Sequence, residues 1–111
     1  MEQDGLKILD QPLSAEIVYS MDNLSAPNEL LVPIFDEYRR TPLILHIVWR
    51  TTDPPQPTHL AQFPGKKTKQ FWDPKHLTPS TDSKLRVRNN LIPMDRLALR
   101  MALARAAAFP N

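Results

Sequence analysis

With 111 residues, 41% of them hydrophobic, the chain is long enough to bury one core without disulfides or a metal. It has no cysteine, which excludes thiol–disulfide chemistry, and its two glycines, Gly5 and Gly65, cannot form a phosphate-cradling loop. A net charge of +2 conceals an uneven distribution: residues 1–65 hold 4 Lys/Arg against 9 Asp/Glu, and residues 66–111 hold 10 against 3.

No apolar run approaches the roughly 20 residues that span a bilayer. The opening Met1-Glu2-Gln3-Asp4-Gly5 is acidic, unlike a secretory leader, so a cytoplasmic protein without a membrane partner is expected. Proline occurs 12 times, so turns fall to Pro, Asn, Asp and Ser, and the loops should be stiff.

Residues 1–14 read as an N-terminal extension or a first strand, and 15–111 as a single domain. Ala15-Glu16-Ile17-Val18-Tyr19 carries the β-branched and aromatic residues of a short buried strand. Leu31, Ile34, Phe35 and Tyr38 then repeat at i, i+3, i+4 and i+7, the apolar stripe of a helix that starts between Ser25 and Asn28 and ends before Pro42. Pro33 either kinks that helix or marks a late first turn.

Leu43-Ile44-Leu45-His46-Ile47-Val48-Trp49 is an almost unbroken apolar run, read as a central strand covered on both faces. From Thr51 to Gly65 four prolines predict an extended loop. Lys66 to Pro74 brings the chain back to the body, with Phe71 and Trp72 as buried anchors. Lys84-Leu85-Arg86-Val87-Arg88 alternates with period 2, a half-buried strand with a basic outer face, and Asn89-Asn90 suits a turn. Pro93 to Ala108 is rich in strong helix formers. Met94, Leu97, Met101, Ala104 and Ala108 make one apolar stripe for the core, leaving Leu99 and Leu103 on a second side near Arg96 and Arg100. That second side meets either the domain itself or another chain.

This order of elements resembles the thioredoxin fold. Ile17-Val18-Tyr19 is followed by Ser25-Ala26-Pro27-Asn28, where thioredoxins carry Cys-Gly-Pro-Cys, and Pro33 stands at the spacing of their helix-kinking proline. Thr78-Pro79 is similar to the family's cis-proline site, opposite the active site. The resemblance implies an α/β fold, a thioredoxin-like small mixed sheet flanked by helices, with a Pro-rich connection and a C-terminal helix. Both sulfur positions are lost, since Ser25 and Asn28 occupy them. What a helix start retains is free N–H donors and partial positive charge, able to hold a carboxylate, phosphate or peptide carbonyl.

The function expected is therefore a redox-inactive thioredoxin-like module for protein binding or assembly. It would take another protein or a second copy of itself at Ser25, Ala26, Pro27, Asn28, Thr78, Pro79, Leu99 and Leu103, with no cofactor and no catalysis. A second reading is a small nucleic-acid-binding accessory protein using Lys66, Lys67, Lys69, Trp72, Arg86 and Arg88, since basic side chains contact phosphates and exposed aromatics stack on bases. A third is an enzyme of unrecognised type around His46 or His76. The three histidines, His46, His59 and His76, lack zinc-site spacing, and Ser25, His46 and Asp22 lack the Gly-x-Ser-x-Gly elbow of a hydrolase.

Overall fold

In the computed structural model, which describes residues 6–24, 41–63 and 67–108, the elements run β1 (Lys7–Ile8), β2 (Ile17–Met21), β3 (Leu45–Trp49), α1 (Pro57–Leu60), β4 (Thr68–Trp72), β5 (Leu85–Val87), β6 (Asn90–Ile92) and α2 (Arg96–Ala108). The result is an α/β domain with one six-stranded mixed sheet in the order β1-β4-β3-β2-β5-β6. β1, β4, β3 and β2 are mutually parallel, and β5 and β6 add an antiparallel hairpin beside β2.

β2 and β3 are central because they are apolar on both faces. Ile17, Tyr19, Met21, Leu45, Ile47 and Trp49 point to one side, where α2 and Phe63 cover them, and Val18 and Val48 point to the other. The second face is closed by Leu9, Leu13, Ala15 and Phe71. β2 runs two residues later than the sequence pattern indicates, because Met21 still pairs with Trp49.

The chain from Thr51 to Gly65 is not loop throughout. Pro57 sits in the first turn of α1, where its missing N–H costs nothing, and Gln56 and His59 cap that turn reciprocally. Residues 68–72 are a full strand inside the sheet rather than a returning loop. Its residue Gln70 accepts a hydrogen bond from Trp49 Nε1 at 2.8 Å and donates to Leu60 O at 2.9 Å, satisfying the polar atoms that line the core. Arg88 and Asn89 form the hairpin turn, one residue earlier than expected, with Arg88 at φ 58° in the left-handed region. Its side chain donates to Ala106 O at 3.3 Å, tying the turn to the end of α2.

The orientation of α2 corrects the sequence reading. Leu99 and Leu103 are 1% and 2% exposed and lie in the core with Ala106, whereas Leu97 and Met101 are 62% and 64% exposed. Leu85 and Val87 on β5 belong to the same cluster as the branched Leu99 and Leu103, and α2 packs against β5. Asp95 fixes the start of the helix, accepting from Ala98 N at 2.9 Å.

Candidate functional site

Met21, Trp49 and Trp72 stand in register at the carboxyl ends of β2, β3 and β4, so the next residues, Asp22, Arg50 and Asp73, form a polar row along that edge. The backbone ladder continues into the row, with Arg50 N donating to Met21 O at 2.9 Å and Asp73 N to Trp49 O at 2.8 Å. Open parallel sheets place ligand sites at this carboxyl edge. The connection from β4 to β5 must return across β3 and β2, and it does so over this row.

Asp73 organises the crossing. Its carboxylate accepts from Leu77 N at 2.8 Å, Thr78 N at 3.0 Å and the Thr78 hydroxyl at 2.6 Å, and the residue has no exposed surface. Burial alone pushes its carboxyl up. The Thr78 hydroxyl, the two backbone N–H groups and the charge of Arg50 outweigh burial and hold it below the usual 3.8. Arg50 Nε donates to Thr78 O at 2.8 Å, while its guanidinium pairs with Asp22. Ser80 donates to the same Asp22 at 2.5 Å, and Thr81 Oγ1 accepts from Ser20 N at 3.1 Å. The Thr78–Thr81 loop is thereby fixed against the end of β2, four residues before Ser25 in the chain.

This arrangement presents hydroxyls, a carboxylate–guanidinium pair and an exposed proline on a braced backbone. The Asp22 carboxylate is engaged by Arg50 and Ser80 together. Thr78 is buried at 6% exposure, leaving Pro79 and Ser80 as the parts that face outward. No cis peptide bond occurs among the described residues, so the Thr78–Pro79 bond is trans, unlike the family feature the resemblance implies. Ser25, Ala26, Pro27, Asn28 and Lys66 lie outside the described residues.

The remaining basic and aromatic candidates do not share a surface. Lys69 and Arg86 face the side of the sheet that carries Val18 and His46, as their register shows. Trp72 packs on the opposite, helix-covered side and donates from Nε1 to Thr51 O at 2.9 Å. Lys67 Nζ donates to Thr41 O, and Arg88 is turned to the end of α2. His46 stacks on Phe71 at 5.3 Å, with its Nδ1 buried and without a hydrogen-bond partner. His59 Nδ1 accepts from Gln56 N at 2.8 Å, and His76 is exposed at φ 54°. Among the described residues no group of three or more His, Asp or Glu could hold a metal ion, and no helix is long and apolar enough to cross a membrane.

Sequence reasoning missed the row because Asp22, Arg50 and Asp73 are 28 and 23 positions apart. The available signal was a charged residue directly after each apolar run, at Met21-Asp22, Trp49-Arg50 and Trp72-Asp73. Set against known proteins, the chain matches no family model, no curated protein and no solved structure.

Proposed function

We propose that this chain is a redox-inactive, thioredoxin-like binding module that captures an extended segment of another protein at the carboxyl end of β2. The observation that carries the reading is the bracing of the Thr78–Thr81 loop against that strand end by Asp73, Arg50, Asp22 and Ser20. A surface held by this many hydrogen bonds loses little entropy on binding, which favours recognition of an extended chain. The antiparallel β5–β6 hairpin beside β2 and the closing helix α2 agree with the element order on which the resemblance rests. The trans Thr78–Pro79 bond departs from it. Without cysteine the module acts by recognition alone. The nucleic-acid reading lacks comparable support, because Trp72 and Lys69 face opposite sides of the sheet.

The test is a panel of extended peptides titrated into isotope-labelled full-length protein. Peptide binding should shift the amides of Asp22, Ser80 and Thr81, and Ser80→Arg should weaken it about tenfold or more. Shifts confined to other surfaces, or unchanged affinity in Ser80→Arg, would overturn the reading.

A further inference from the structure

Among the described residues, Arg86 is a half-buried arginine without a counter-charge. It projects from β5 opposite Val18, its Nη2 donates to Ala15 O at 2.9 Å, and its Nε is buried with no hydrogen-bond partner. No carboxylate pairs with it among the described residues, in contrast to Arg50, which has Asp22. A guanidinium keeps its charge at any ordinary pH, so partial burial without an anion is costly unless a ligand supplies one.

Beside this side chain is a cavity of ≈ 190 Å³. Leu13, Val18 and Leu91 give it an apolar wall, and Ser80, Thr81 and Asn89 line it with polar groups. A dry apolar cavity of about 150 Å³ accommodates one benzene ring. The volume here suits such a ring with one small substituent and is too small for a peptide segment.

We propose that this cavity binds a small monocarboxylate of about the size of benzoate, its ring or short chain against Leu13, Val18 and Leu91 and its carboxylate on Arg86. The anion completes the pairing that Arg86 lacks, and charge-assisted hydrogen bonds to a guanidinium are about twice as strong as neutral ones. The site stands on the Arg86 face of the sheet and shares Pro79, Ser80 and Thr81 with the loop read as the peptide surface; peptide capture is told apart from it at Asp22, which is not in its lining.

Benzoate and its neutral counterpart, benzyl alcohol, are titrated separately into the isotope-labelled full chain and followed by amide shifts and by melting temperature. Benzoate should saturate, shift Leu13, Val18, Arg86 and Leu91, and raise the melting temperature, with benzyl alcohol at least about tenfold weaker. Arg86→Met keeps an apolar stem and should remove the preference for the acid, so that both compounds bind alike. Leu91 is 45% exposed at the rim, so Leu91→Trp should block both compounds without disturbing the core. The proposal is overturned if no saturable shift reaches these residues by about 10 mM benzoate, if acid and alcohol bind equally to the unaltered protein, or if Arg86→Met binds benzoate undiminished. The acid–alcohol comparison decides the matter even if Arg86→Met fails to fold.

Discussion

Among the described residues, the two faces of the sheet differ in the polar groups they hold. The face under α2 gathers 12 of the described buried residues into one cluster, and Gln70 satisfies the indole of Trp49 beneath it. Among the described residues, the opposite face has three buried members, Leu9, Val18 and Val48, and carries both unpaired buried side-chain nitrogens, on His46 and Arg86. Groups kept at a cost to stability are where recognition is to be sought.

A matched pair of substitutions breaks or sharpens this contrast most directly. Leu103, 2% exposed under α2, and Leu9, 7% exposed on the other face, lose the same atoms on mutation to alanine. Leu103→Ala should cost about 4 kcal/mol and Leu9→Ala about 2 kcal/mol, because Leu9 is the more exposed of the two and loses less burial. Urea unfolding of both variants measures the difference. Equal losses would mean that the two faces are packed alike.

Asp73 comes next in size and separates the braced edge from both faces. Asp73→Ala strands the Leu77 and Thr78 N–H groups and the Thr78 hydroxyl, which should cost about 2–3 kcal/mol. The carboxyl is held below its ordinary value in the fold, so its contribution is fully present above pH 3.8 and disappears as pH falls from there through the lowered value. Acid titration of stability should show that loss in the parent and lack it in Asp73→Ala. If peptide binding survives in a folded Asp73→Ala variant, the bracing does not position the recognition surface.

What the sequence made legible follows from how exclusive each pattern was. β3 was plain because a short unbroken apolar run fits little but a buried strand, and β5 because Leu85 and Val87 alternate with basic residues. β4 was hidden because Lys67-Thr68-Lys69 resembles a solvated segment, although Gln70 and Trp72 face the core and Phe71 the other side. The facing of α2 was undetermined because both of its sides are apolar. Spacing alone selected Leu97 and Met101, which are exposed, whereas the structure buries Leu99 and Leu103 against β5; Met94 of the selected stripe packs partly against the core. The polar row at the strand ends depends on the parallel register of three distant segments, and no local pattern encodes register.

The smallest expected effect belongs to His46, on the face opposite α2. Burial first, and then the neighbouring charge of Lys69 on β4, push its imidazole below the ordinary 6.5, with the Ile17 backbone acting weakly the other way. For a histidine held neutral in the fold, the unfolded chain binds the extra proton first. Stability is therefore full above pH 6.5, falls as pH drops from 6.5 towards the lowered value, and levels off below it. His46→Phe keeps a ring against Phe71 and removes the titration, so its stability should be flat between about pH 7 and 5 where the parent's declines. Lys69→Ala should reduce the parent's decline without abolishing it, because burial remains when the charge is gone. A decline of equal slope in His46→Phe would assign that titration to another group.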